Sequence, residues 1–198
     1  RARRAATALD SLGVERGDRY AILSRNTFRN AELIHAGYWS GRVPVPINFR
    51  LAAPEIRYIL DDAGCKVLFA EEVFNDLVNA AELAPWRAGR TPIAATRSAG
   101  GRDYESLIAV ASPATIHESA EDDDAILLYT GGTTGRSKGV RLTHKNVYSN
   151  GMQVAPAMRI RFDDVYLHVA PMFHSADLLG TAFTLSGAAH AFLPQFSG

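Results

Sequence analysis

RYAILSRNTFRNAELIHAGYWSGRVPVPINF, Arg19 to Phe49, holds two extended runs with a helical stretch between them. Arg19–Leu23 is a short apolar run and reads as a buried strand. Thr27–Trp39 follows, with Phe28, Leu33, Ile34, Tyr38 and Trp39 roughly on one helical face. Val43–Ile47 is extended, because each proline disfavours helix in the residue before it. The rhythm continues outward. Pro54 suits the first position of a helix, Ile56, Ile59 and Leu60 give an i, i+3, i+4 stripe, and Gly64 can stop it. Lys66–Ala70 is another short strand, and a helix is expected over about Glu72–Leu83. Alternating strands and helices of this kind predict an α/β domain with largely parallel sheets covered by helices.

The totals narrow the class. At 198 residues the chain can bury a substantial core. Basic and acidic residues balance at 21 each, which argues against a nucleic-acid surface. One cysteine, Cys65, excludes an internal disulfide and fits a reducing compartment, so a cytoplasmic location is expected. No apolar run approaches the ~18–20 residues of a transmembrane helix. RARRAATALD reads as a helix entered part-way and FLPQFSG carries no helix stop, so a piece of a longer protein is expected. Arg97–Asp103 is a turn-rich loop, and Ser112–Asp124 a polar connection rich in acids. Those acids could hold a metal or simply face solvent. They divide the chain into residues 1–115 and 116–198.

The second part carries LLYTGGTTGRSKGVRLTH, Leu127 to His144. Within it, Thr130–Gly139 has four glycines, three threonines, a serine, an arginine and a lysine, and no apolar residue. An apolar strand, Ala125–Tyr129, precedes it. Val140 and Leu142 alternate after it, and Thr143 is placed to cap a helix. A Walker loop needs glycine, four residues, then Gly-Lys-Ser/Thr, and Lys138 stands in the wrong place for that. The dinucleotide pattern GxGxxG is also absent. Gly135–Arg136–Ser137–Lys138–Gly139 does match the GxSxG of serine hydrolases, but that motif requires a helix directly after the serine. With a hydrolase using Ser137 as the weakest reading, two others stand ahead of it: a polar surface loop, or an anion cradle built from glycine N–H groups, hydroxyls and the Lys138 ammonium.

Tyr129–Gly139 resembles the signature loop of the adenylate-forming superfamily, which includes acyl-CoA synthetases, aryl-CoA ligases, luciferases and peptide-synthetase adenylation domains. The family pattern is approximately Tyr-Thr-Ser-Gly-Thr-Thr-Gly-x-Pro-Lys-Gly. Gly131 stands here where serine is usual, and Ser137 where proline is usual. Gly41–Arg50 and Glu55–Phe69 are similar to the family's N-terminal region, and Ala170–Pro–Met–Phe–His174 to the segment beside its acyl pocket. The similarity runs from about residue 8 to Phe196. It implies the first part of the large N-terminal domain of an acyl-CoA synthetase-like fold.

The resemblance also implies a chemistry. A carboxylate attacks the α-phosphate of ATP to give acyl-adenylate and pyrophosphate, and a thiol, usually coenzyme A, then displaces AMP. Thr130, Gly131, Gly132, Thr133, Thr134, Gly135 and Lys138 would hold the phosphates, with Lys138 and Thr134 serving catalysis and Thr134 meeting Mg²⁺. Phe173 and His174 would line the acid's pocket, with a structural His174 as the lesser alternative. The amino-acid-activating branch usually has aspartate at that place, so histidine implies a fatty or aryl acid. Asp177 departs from the glycine usual near there. Arg136 could be a phosphate contact or an exposed side chain; His144, His168 and His190 are taken as structural. The family's Mg²⁺-holding glutamate, ribose-gripping aspartate and C-terminal lysine do not appear, so these 198 residues alone are expected to be inactive. Open alternatives are an acyl-AMP ligase that loads a carrier protein and a non-catalytic nucleotide-binding module. A homo-oligomer is compatible with the sequence.

Overall fold

The computed structural model describes residues 1–86, 91–93, 103–131 and 136–193. Helix α1 (Ala2–Ser11) leads into strand β1 (Arg19–Leu23), helix α2 (Phe28–Ser40) and strand β2 (Val43–Pro46). Helix α3 (Ala53–Asp62), strand β3 (Cys65–Glu71), the short helix α4 (Asn75–Val78) and strand β4 (Thr91–Ile93) complete the first unit. Among the described residues these strands make a parallel sheet in the order β2-β1-β3-β4. The chain thus has the α/β fold its strand–helix alternation predicts.

The sheet is covered on both faces, and the period of two along each strand decides which residue goes where. Tyr20 and Ile22 of β1 and Val67 and Phe69 of β3 face one core, shared with α1, α2 and helix α5 (Tyr104–Val110). Ala21, Leu23, Leu68 and Ala70 face the other core, against Ile56, Ile59 and Leu60 of α3. Side chains fix the helix starts: Thr27 accepts the Asn30 N–H, and Glu55 takes the Ala52 N–H at 2.9 Å. Pro54 sits in the first turn of α3, as its fixed φ favours.

The continuous helix expected over Glu72–Leu83 is not formed. A 3₁₀ turn (Glu72–Phe74), α4 and a second 3₁₀ segment (Ala81–Trp86) replace it. Val78 and Leu83 are both fully buried. Five residues apart on one α-helix they would point about 140° from each other. Breaking the helix after Asn79 turns both inward, and asparagine is a poor residue for a helix interior. Of the expected loop Arg97–Asp103, only Asp103 lies within the described residues. It caps α5 by accepting the Ser106 N–H at 2.8 Å.

Residues 111–123 run as an irregular strap rather than free linker. The Ala114 carbonyl accepts from Arg3 Nε (2.8 Å) and Trp39 Nε1 (3.2 Å), and His117 N–H donates to the Trp39 carbonyl. Beyond it, strand β5 (Asp124–Thr130) pairs antiparallel with β6 (Lys138–Thr143), since the loop between them returns the chain directly. Helix α6 (His144–Ala157) follows, capped by Thr143 as the sequence predicts, with Asn146 closing a capping box. Strands β7 (Val165–His168) and β8 (Ala189–Phe192) pair in parallel around helix α7 (Gly180–Leu185). Ile126 and Leu128 of β5 join the α1–α2 core. Among the described residues, no helix is long and apolar enough to cross a membrane.

Candidate functional site

The hairpin register places Thr130 opposite Lys138, at the mouth of the glycine loop. Directly opposed residues share a face of the sheet, so both exposed side chains stand on the same side. Lys138 makes no ion pair among the described residues. Gly132, Thr133, Thr134 and Gly135 lie outside the described residues. Gly131 is open: an added Cβ would meet nothing within 4 Å, so the serine usual there would fit.

The base of the loop is held tightly. Gly139 pairs with Tyr129, and an added Cβ would come within 3.1 Å of the Tyr129 ring and 3.2 Å of Leu127 Cδ1. The Tyr129 hydroxyl donates to Asp62 at 2.6 Å, tying the hairpin to the end of α3. Burial, then this carboxylate, hold the Tyr129 phenol above its ordinary range. Arg136 lies over the Tyr58 ring at 5.2 Å, a cation–π contact on α3. Ser137 is followed at once by β6, with α6 starting only at His144. The strand–turn–helix that a hydrolase serine needs is therefore absent, and that reading is excluded. Glu121 pairs with Lys145 and Asp124 with Arg141. Among the described residues, no group of three or more His, Cys, Asp or Glu side chains could hold a metal.

A second constellation surrounds Phe173 and His174. Phe173 packs edge-on against Phe49 at 5.2 Å, Phe49 stacks on Phe74, and Arg50 covers the pair. His174 is exposed and caps the 3₁₀ turn Ser175–Leu179. Its Nδ1 accepts the Ala176 N–H at 3.1 Å, which in the neutral ring leaves the proton on Nε2. His174 borders a cavity of about 280 Å³ that also meets His35, Tyr38, Met172, Asp177 and His190. No described cavity is lined by both His174 and a residue of the glycine loop; a separate one holds Arg136 and Ser137.

Inside that cavity runs a chain of hydrogen bonds that the sequence reading passed over. Asp177 meets His168 Nδ1 at 2.8 Å, His168 Nε2 meets His190 Nδ1 at 2.9 Å, and His190 Nε2 meets Thr184 Oγ1 at 3.0 Å. His168, read from the sequence as structural, is buried with a carboxylate partner. No sequence pattern marks it: a period of two puts Tyr166 and His168 on the face opposite Val165 and Leu167, and here the apolar pair is the exposed one. Burial, then His168, lower the His190 pKa. Burial also pushes His35 down to about 4, helped by His190 and His168. Asn26, which no motif marks, reaches this region from the end of β1.

The family model for AMP-binding enzymes matches residues 1–197. The chain belongs to the AMP-binding enzyme family. It is 36% identical over 198 residues to the long-chain-fatty-acid–CoA ligase FadD13 of Mycobacterium tuberculosis, covering 98% of this chain and 38% of that protein. It is 34% identical over 179 residues to the fatty acid–[acyl-carrier-protein] ligase ScoC of Streptomyces coeruleorubidus, covering 88% and 33%. Among solved structures, the inhibitor-bound N-terminal domain of FACL13 from Mycobacterium tuberculosis superposes with a TM-score of 0.86. It shares 34% identity over 99% of this chain and 49% of that one. ATP-bound MatB from Rhodopseudomonas palustris gives 0.84 at 32% identity, over 99% and 39%. The chain therefore spans about two fifths of the curated relative FadD13.

Proposed function

We propose that the chain is the N-terminal part of an AMP-forming ligase that activates a fatty or related carboxylic acid with ATP and passes the acyl group to coenzyme A. The observation that carries it is the pairing of Thr130 with Lys138 at the mouth of a glycine-rich hairpin, in a chain matched by the AMP-binding family along its length. The Lys138 ammonium and Thr130 hydroxyl donate to phosphate oxygens, and Gly131, Gly132, Thr133, Thr134 and Gly135 complete the cradle. Charge-assisted bonds of this kind strengthen as pyrophosphate takes up charge, so they lower the barrier rather than only binding ATP. Phe173 and His174 stand at the acid. Residues 1–115 form the first α/β part and residues 116–198 the part that carries the loop.

Magnesium would enter with the ATP phosphates, as is usual for this ion. Thr134 is the residue proposed to meet it, and the described residues supply no cage of their own. A cytoplasmic location suits the buried free thiol of Cys65. The similarity to ScoC favours a second acceptor, the thiol of a carrier protein, in place of coenzyme A. The test is AMP release by the full-length protein with ATP and a fatty acid, with either coenzyme A or a phosphopantetheinylated carrier protein added. Release that needs coenzyme A supports the first acceptor, and release that needs the carrier supports the second. Release with neither acid nor thiol present would refute both.

A further inference from the structure

We infer that Asn26 is a positioning residue: it fixes the loop of residues 168–177 and so sets where Phe173 and His174 stand. It follows β1, the strand adjoining β2 and β3, at the carboxyl end where parallel α/β sheets present their ligands. Only 7% of it is exposed. All the hydrogen-bonding hydrogens of its amide are used on one loop of the second half of the chain. Nδ2 donates to the carbonyls of His168 (2.8 Å) and Ala170 (2.8 Å), and Oδ1 accepts from the Met172 N–H (3.0 Å). Three alternate backbone groups are thus gripped by one planar side chain, immediately before Phe173.

Asn26 is itself held still. Glu71, at the end of β3, accepts from the Arg25 N–H and from Arg25 Nε, both at 2.9 Å. On its other side Thr27 caps α2. The loop is also closed at its ends, because the His168 ring binds Asp177 at 2.8 Å. His168 is consequently fixed twice, through its carbonyl by Asn26 and through its ring by Asp177. The span between these anchors contains Phe173, seated on Phe49, and the exposed His174. A buried amide that merely satisfied its own bonding would need no such concentration on one segment. Asn26 therefore couples the first sheet to the acid-facing segment, a role that rests on the ligase proposal for its kinetic consequence but not for its structural one.

Two variants separate these. Asn26→Ala removes all three bonds, while Asn26→Asp keeps the shape and sets a carboxylate against two carbonyl oxygens. Hydrogen exchange by mass spectrometry on the protein should show amides of residues 168–177 exchanging at least about tenfold faster in both, with β1, β2 and α3 unchanged. Acceleration spread evenly over the chain, or none in 168–177, would overturn the inference. In the full-length protein, the KM for the acid should rise about tenfold to a hundredfold while the KM for ATP stays within about twofold, as expected when a reacting partner is misplaced. Faster local exchange with an unchanged acid KM would also overturn it. A wild-type protein without ligase activity would instead defeat the functional proposal, and the exchange measurement would still decide the clamp. If Asn26→Ala does not fold, Asn26→Asp answers both questions.

Discussion

Acidification should destabilise the protein through His35, by an amount set by its surroundings. His35 lies on α2, edge-on to Tyr38 at 5.7 Å, and borders the same cavity as His168 and His190. Burial, aided by His190 and His168, lowers its pKa from 6.5 to about 4. A base with a depressed pKa binds fewer protons folded than unfolded. Its contribution is therefore complete above pH 6.5 and is lost as pH falls toward 4. The full gap corresponds to roughly 3 kcal/mol, of which roughly 2 kcal/mol is gone by pH 5. Urea unfolding of wild type and His35→Leu at pH 7.5 and pH 5.0 isolates this, since the carboxylates titrate alike in both. Wild type should lose about 2 kcal/mol more than the variant between the two pH values. Equal losses would show that His35 is as easily protonated folded as unfolded, and would refute the lowering of its pKa by burial.

Gly37→Ala should destabilise although alanine is the better helix former by about 1 kcal/mol. A Cβ there would stand 2.6 Å from Pro44 Cδ, 2.7 Å from the Arg42 carbonyl and 2.7 Å from the Tyr20 hydroxyl, which donates to the Leu33 carbonyl. Overpacking costs about 1–3 kcal/mol and a displaced buried hydrogen bond a similar amount, so a net loss of about 1–4 kcal/mol is expected in chemical denaturation. A neutral or stabilised variant would mean that α2 does not pack so closely on β1 and β2. In the full-length protein, Lys138→Ala should slow adenylation on the order of tenfold to a thousandfold, while Ser137→Ala keeps most activity, because only Lys138 carries charge to the phosphates. The reverse ranking in AMP release would remove Lys138 from the site.

How legible the fold was in the sequence differs by element. β1, α2, β2 and α3 follow from local patterns, since two-residue and 3.6-residue periods, a threonine cap and a proline in the first turn act over a few residues. The break within 72–83 was not legible, because it depends on Val78 and Leu83 meeting one core, which only the assembled sheet defines. Helix α5 carries local signals too, an Asp103 cap and the Tyr104, Leu107, Ile108 stripe, but they span only seven residues. The glycine loop announced itself because its chemistry is contiguous. Asn26 and the Asp177–His168–His190 chain did not, because their partners are up to 146 residues apart. Sequence spacing carries no trace of such pairings.

The central claim, that the Thr130–Lys138 hairpin serves acid activation by ATP, is tested most directly by exchange of labelled pyrophosphate into ATP. The measurement uses the full-length protein with and without a fatty acid and omits any thiol, so only the first half-reaction is read. Exchange that depends on the acid, and that falls on the order of tenfold or more in Lys138→Ala, is the predicted result. Absence of acid-dependent exchange in the wild-type protein, or exchange indifferent to Lys138, would contradict it.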